Sequence, residues 1–363
     1  MTSAHRFGSS RGSPAQLIAA SVSSIAVLIA SSLHAIAQPL PPRDLPARTL
    51  PVPETVSPQM QKIIGNPISP TWNVFPKTAA EWKPLVDAAA AQAARQLPAL
   101  REQMRVKLEA TTLNGARAFV LTPDDMPAEN RNRLLIHVHG GCYVSNPGES
   151  GTSEATMMAG FGRFKVISVD YRMPPEATFP AALDDAIAVL KAAQAIVPPR
   201  NIAIFGSSAG GGLTLSTVLR AKQLGMTLPG AIAPGTPMAD LTEAGDTFHT
   251  NAMVDNVLIA RQASCDTRAR LYANGHDLKD PLLSPIYGDM RAFPPTMLLS
   301  GTRDLLLSNT VRVHRKLRQA GVEAALHVFE GQPHGAWYRD ASAPESKEAF
   351  EEIARFFDRH LGK

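Results

Sequence analysis

Short continuous apolar runs that break into glycine-rich loops recur through the C-terminal two thirds of the chain. Leu134-Leu135-Ile136-His137-Val138 runs into His139-Gly140-Gly141-Cys142-Tyr143, Ile202-Ala203-Ile204-Phe205 into Gly206-Ser207-Ser208-Ala209-Gly210, and Met297-Leu298-Leu299 into Ser300-Gly301-Thr302-Arg303-Asp304. Runs of this length, bounded by turn residues, predict strands buried on both faces. Two more are expected near Ala231 and over residues 325–329, the latter leading into Gly331-Gln332-Pro333-His334-Gly335. A helix-period stretch over residues 209–224 follows the second run, so strand and helix alternate. In residues 105–121 two strand-like runs flank Asn114-Gly115, the signature of an antiparallel hairpin.

The pattern changes to helix between residues 60 and 104. Residues 78–93 are Ala-rich with Trp82, Leu85 and Val86, and residues 97–104 extend or restart the helix after Pro98. This segment is read as a cap. Its apolar residues, with Trp72 and Phe75, either simply cover the sheet or roof a pocket. A second cap element is expected over residues 251–273, within an insertion of about residues 240–275, with Phe248, Met253 and Leu258 against the pocket.

The first 37 residues have a different character. His5, Arg6 and Arg11 precede an apolar, serine-containing stretch, and Ala35-Ile36-Ala37 supplies a small-x-small site. The reading is a secretory leader cleaved near Ala37, with a periplasmic or secreted product and no stable membrane span after cleavage. The alternative is an uncleaved anchor, since about twenty apolar residues can span a bilayer. Residues 38–59 are proline-rich and read as an extended tether. The expected organisation is therefore leader 1–37, tether 38–59, cap 60–104 and one catalytic domain over 105–363.

Composition narrows the function classes. The 363 residues carry a formal charge of +4, which falls to +2 without Arg6 and Arg11. No basic run interleaved with aromatics appears, which argues against a nucleic-acid partner. Two cysteines are present, Cys142 and Cys265. In an oxidising compartment they can pair, but a bridge into the glycine loop from so far along the chain is disfavoured, and free thiols are expected. No metal-ligand spacing is found, so no metal is expected.

The chemistry concentrates in the glycine loops. Gly206-Ser207-Ser208-Ala209-Gly210, after a strand and before a helix, reads as a nucleophile elbow: glycines flank the turn because side chains do not fit, and the turn presents the Ser208 hydroxyl. The amides of Gly140, Gly141 and Ala209 are candidates for an oxyanion hole. Asp304, at the exit of a core strand, is preferred over Asp240, Asp277 and Asp280 as the orienting acid, and His334, beyond the last strand, is the general base. His139 is read as a loop-shaping residue. Cys142, Tyr143, Phe248 and Met253 are the expected substrate contacts.

On His139-Gly140-Gly141, Asp170-Tyr171-Arg172-Met173-Pro174-Pro175-Glu176, residues 179–185, the Ser208 elbow and the Asp304 and His334 segments, the chain from about residue 105 onward resembles the hormone-sensitive-lipase-like branch of the α/β-hydrolase esterases. The resemblance implies an α/β-hydrolase fold: an eight-stranded, mostly parallel sheet with helices on both faces and an N-terminal helical cap. It also implies hydrolysis of carboxylic esters with no cofactor. The substrate would be a small ester of short to medium acyl length, with lactones suggested by Gly301-Thr302-Arg303-Asp304-Leu305-Leu306-Leu307. Two positions depart from the family pattern, Cys142 in place of a third glycine and Ser207 in place of Asp or a larger residue. The same triad also serves acyltransferases and peptidases, and a non-catalytic ligand-binding member of the fold is the further alternative. The oligomeric state is not encoded in these motifs.

Overall fold

The computed structural model describes residues 42–362 other than 71 and 74, together with residues 1, 2, 4 and 8. The leader expected over residues 1–37 lies almost wholly outside the described residues. Residues from Leu50 onward form one compact unit, and the account below concerns that unit.

Its centre is an eight-stranded sheet, made of β1 (Val106–Leu113), β2 (Ala116–Pro123), β3 (Leu134–Val138), β4 (Lys165–Val169), β5 (Ile202–Ser207), β6 (Ala231–Gly235), β7 (Thr296–Gly301) and β8 (Ala324–Phe329). The order is β1-β2-β4-β3-β5-β6-β7-β8. β1 and β2 form the expected hairpin around Asn114-Gly115, both with positive φ. β2 also meets β4 antiparallel, and every later pairing is parallel. β3, β5, β6 and β7 are buried along their whole length, which is why they read as unbroken apolar runs rather than alternating ones.

Helices cover both faces. On one, α4 (Ala181–Ile196), α5 (Ala209–Gln223) and α8 (Leu307–Gln319) bury Ile187, Leu190, Leu213, Leu215 and Val313 against the sheet. On the other, α3 (Ser153–Gly162) and α9 (Pro344–His360) bring Met157, Met158, Phe350 and Phe357 against Leu135, Phe205 and Leu299. The remaining helices are α1 (Pro58–Gly65), α2 (Ala79–Met104), the single turn α6 (Thr247–Thr250) and α7 (Ser264–Ala273). α2 is one continuous helix, with Pro84 and Pro98 inside it and the Thr78 hydroxyl capping its start at the Glu81 amide. Of the two readings at Pro98, extension and restart, the structure has the extension, with the helix held from outside by buried Trp82, Val86 and Leu97. Residues 51–57, read as part of an extended tether, contain a turn at 54–55 and are docked: the Arg303 guanidinium donates to the Pro51 carbonyl at 2.6 Å, and Ser57 bonds Glu345 through both amide and hydroxyl.

The two cysteines correct the sequence expectation. Cys142 and Cys265 form a disulfide with Cα atoms 5.4 Å apart, across 123 residues of chain. Separation along the sequence was a poor guide, because the fold lays the N-terminal end of α7 over the glycine loop that follows β3. Among the described residues no helix is long and apolar enough to cross a membrane.

Candidate active site

The loops leaving the C-terminal ends of β3, β5, β7 and β8 meet at one place, the position where parallel α/β sheets offer a crevice. Ser208 follows β5 directly, with φ 64° and ψ −124°. Only a turn so sharp can join the strand to α5, and it works because a β-carbon on either flanking glycine, Gly206 or Gly210, would collide with the Val138 carbonyl oxygen. The elbow is tied down on both sides: the Ser208 amide donates to the Gly235 carbonyl at 3.0 Å, and the Ser208 carbonyl accepts from the amides of Gly212 and Met238.

Behind the elbow lies a buried polar chain. Ser207 donates its hydroxyl to Glu154 Oε1 at 2.6 Å and its amide to Oε2 at 3.2 Å. The same carboxylate meets His137 Nε2 at 3.3 Å, and His137 Nδ1 lies 2.9 Å from the Ser168 hydroxyl. The small Ser207 side chain is what leaves room for Glu154, a residue that sequence reading did not single out and for which no local signal exists.

His334 and Asp304 are in direct contact, His334 Nδ1 to Asp304 Oδ1 at 3.0 Å, with both side chains almost fully buried. The second carboxylate oxygen accepts from the hydroxyls of Thr236 and Ser300, the latter at 2.7 Å, and Oδ1 also accepts from the Leu306 amide at 2.8 Å. Burial alone would raise the Asp304 carboxyl, but the charge on His334 and the hydrogen bonds from His334, Thr236 and Leu306 together hold it below the ordinary carboxylate value. His334 Nε2 is buried and has no hydrogen-bond partner among the described residues. His334 and Ser208 line the same cavity, of about 930 Å³.

The rivals to Asp304 are occupied elsewhere. Asp240 pairs with Arg312 at 2.8 Å, while Asp277 and Asp280 each accept from the amide two residues on in their own turns. A second carboxylate does come close, and it was not anticipated. Asp255 is fully buried, accepts from the amides of Val257 and Leu258 on Oδ1 and of Leu305 on Oδ2, and has the His334 amide 3.5 Å from Oδ1. Burial first, and then the negative charge of Asp304, push its carboxyl above the ordinary value. Asp255, Asp304 and His334 bring three potential ligand atoms within 4.8 Å of one another. Their oxygens already face N–H and O–H donors, an environment built for anions rather than for a cation.

The glycine loop presents its amides by a simple geometric rule, since the N–H and C=O of one peptide unit point in opposite directions. The His139 carbonyl accepts from the Tyr171 hydroxyl at 2.8 Å, the Gly140 carbonyl accepts from the His139 ring and from the Asn146 side-chain amide, and the Ser208 carbonyl is held as above. The amides on the opposite edges of those three peptide units are Gly140, Gly141 and Ala209. The loop also touches the elbow: a β-carbon on Gly140 would lie 2.8 Å from the Ser207 carbonyl oxygen and 3.2 Å from Ser208 Cβ. Ala209 opens α5, whose first-turn amides have no partner within the helix. His139 is stacked on Tyr171 at 4.1 Å, and burial pushes its imidazole down to about 4, so it is a neutral spacer that shapes the loop.

The expected substrate contacts fare unevenly. Cys142 lines the cavity, as do Trp72, Trp82 and Leu258. Tyr143 does not: it is buried and stacked on Tyr272 at 4.6 Å, because the chain turns inward after Cys142. Phe248 is likewise in the core under the loop after β7, and Met253 is half exposed on the outside of the insertion. The insertion instead faces the cavity with Val257, Leu258 and Ile259 and with Arg268 from α7.

With fold and geometry in place, relatives give them a class. The family model for the alpha/beta hydrolase fold matches residues 135–338, and the chain belongs to that family. It is 30% identical over 65% of its length to an acetyl-hydrolase of Streptomyces hygroscopicus, of which it covers 79%, and 29% identical over 62% of its length to an esterase of Acinetobacter venetianus, of which it covers 74%. Among solved structures, a crystal structure of an esterase superposes with a TM-score of 0.85 at 40% identity, over 88% of this chain and 99% of that one. An esterase from the bacterial hormone-sensitive lipase family superposes with a TM-score of 0.72 at 25% identity, over 84% and 99%.

Proposed function

We propose that this protein hydrolyses small carboxylic esters through an acyl-enzyme on Ser208. The observation that carries the reading is the His334–Asp304 contact at 3.0 Å, which leaves Nε2 as the free end of the imidazole in the cavity that Ser208 also lines. In the reading, the Ser208 hydroxyl attacks the ester carbonyl while its proton passes to His334 Nε2. Asp304 fixes the Nδ1–H tautomer and balances the imidazolium. The negative oxygen of the tetrahedral intermediate is held by the amides of Gly140, Gly141 and Ala209, and its collapse expels the alcohol, which takes the proton from Nε2. Water then repeats the sequence on the acyl-enzyme and releases the acid. A capped cavity of about 930 Å³ with Trp72, Trp82 and Leu258 in its wall suits a short to medium acyl ester better than a peptide. The relatives' activities support the same class. The disulfide supports export, because such bridges persist in oxidising compartments.

The test is direct. Ser208→Ala is expected to lower kcat on a soluble aryl ester by at least about a thousandfold and to abolish labelling by a fluorophosphonate, as is typical when a triad nucleophile is removed. Wild-type turnover in that variant would overturn the assignment.

A further inference from the structure

Arg268, in the cavity wall, has no counter-ion among the described residues. Arg268 comes from α7, three residues after Cys265, so one helical face brings both the disulfide and the guanidinium onto the glycine loop. Its Nη1 donates to the Ser145 hydroxyl at 3.0 Å, and its guanidinium lies over the Trp82 ring at 4.3 Å. The Ser145 amide in turn donates to the Gly141 carbonyl, so the charge is anchored one short turn from the candidate oxyanion amides. Arg268 Nε is buried without a hydrogen-bond partner among the described residues. Burial also pushes the guanidinium down from its ordinary value, the direction expected where no carboxylate offsets the lost hydration.

The neighbouring acids are already engaged. Asp266 pairs with Arg270 at 2.8 Å, Glu243 with Arg261 at 3.3 Å, and Asp340, which also lines the cavity, accepts from the amide and hydroxyl of Ser342. Holding a guanidinium half out of water against an aromatic ring and one neutral hydroxyl costs free energy that an anion in the cavity would return, and the planar fork is matched to a carboxylate.

We propose that Arg268 is a specificity-determining residue that selects esters carrying a carboxylate elsewhere in the molecule, either on the acyl chain or on the alcohol. The inference rests on the ester-hydrolase reading of the same cavity. When such a substrate enters, the guanidinium keeps Trp82 on its face and uses its free N–H edge for the substrate's carboxylate. The ester carbonyl meanwhile reaches Ser208 and the amides of the loop to which Arg268 is bonded.

Two matched pairs of substrates test this. Para-nitrophenyl hydrogen adipate against its methyl ester places the charge on the acyl side, and para-acetoxybenzoate against its methyl ester places it on the alcohol side. The readout is the ratio of kcat/KM for the anionic member to that for the neutral member, in wild type, Arg268→Met and Arg268→Lys. In at least one pair the ratio is expected to fall about ten- to a hundredfold in Arg268→Met, the span of a lost charge-assisted contact, with Arg268→Lys in between. The wild-type ratio for that pair should also fall as salt is raised. The pair that responds identifies the side that carries the charge. Equal losses on charged and neutral members in both pairs, or a wild-type ratio indifferent to salt in both, would overturn the proposal. Failure of the underlying reading looks different: Ser208→Ala would still turn over the neutral esters.

Discussion

At Asp255 the site contains a carboxyl group that the proposed chemistry does not require. Its two oxygens collect amides from the loop over residues 255–258 and from Leu305, next to Asp304, and the His334 amide lies at 3.5 Å. The residue therefore acts through its neighbours as a positioning group that ties the cap insertion to the loops carrying Asp304 and His334. Asp255→Asn keeps the shape but turns one oxygen into a donor, which leaves an amide such as that of Leu305 without an acceptor. Losing one buried acceptor costs about 1–3 kcal/mol. The sign of the pH dependence follows from the raised carboxyl. Above the ordinary carboxylate value the unfolded chain has released this proton while the folded chain still holds it, so the wild type loses this share of its stability as pH rises through the folded value. Asn does not titrate. Denaturant unfolding should therefore show the gap between wild type and variant narrowing from about pH 4 toward neutrality, and a gap that widens would contradict the assignment. Displacement of the His334 backbone should appear mainly in kcat, about ten- to a hundredfold lower.

Between elements, the Cys142–Cys265 bridge is a covalent cross-link from α7 in the cap insertion to the glycine loop after β3. It closes a loop of 123 residues, so its removal by Cys142→Ser/Cys265→Ser is expected to lower unfolding free energy by about 2–5 kcal/mol. Hydrogen exchange should speed up in α7 well before β3 or β5, and KM should rise more than kcat falls, because the wall that holds Arg268 and Trp82 loosens while the elbow does not. Uniform exchange across the molecule would show that the bridge stabilises the core instead. This tie also marks the limit of what the sequence discloses. Strands β3, β5 and β7 and the elbow were legible because burial on both faces writes itself as apolar runs, and a strand-to-helix turn writes itself as glycines at fixed spacing. The positions of Ser208, Asp304 and His334 at strand exits could be read because each sits just beyond such a run. Glu154, Thr236, Asp255 and Arg268 lie in segments whose local pattern is ordinary, and their importance comes from contacts across 50 to 123 residues of chain with groups the pattern does not connect. Tyr143 and Phe248 lie outside the wall of the Ser208 cavity for a related reason: apolar character marks a residue for burial without saying on which side of a loop, and Met253 departs from that rule altogether by facing outward, 53% exposed.

For the compact unit as a whole, the segment before α2 serves as a strap. Residues 51–66 touch three separate segments at once: Arg303 holds the Pro51 carbonyl after β7, Glu345 at the start of α9 holds Ser57, and the Asn256 side-chain amide donates to the carbonyls of Ile63, Ile64 and Asn66. Met60, fully buried, with Ile63 and Ile64, packs on Ala336 and Ala343, so α1 backs the turn that begins two residues after His334. Deleting the methionine side chain there is expected to cost about 2–5 kcal/mol, the range for core truncations. Because the strap reaches the loops of both Asp304 and His334, the loss should not stay local. Met60→Ala should lower the melting temperature and, well below it, reduce kcat on a small neutral ester while leaving its KM nearly constant, since α1 supports His334 rather than the substrate wall. If the melting temperature falls and kcat does not, α1 is a structural strap alone and the imidazole is held by Asp304, Asp255 and the β8 exit without its help.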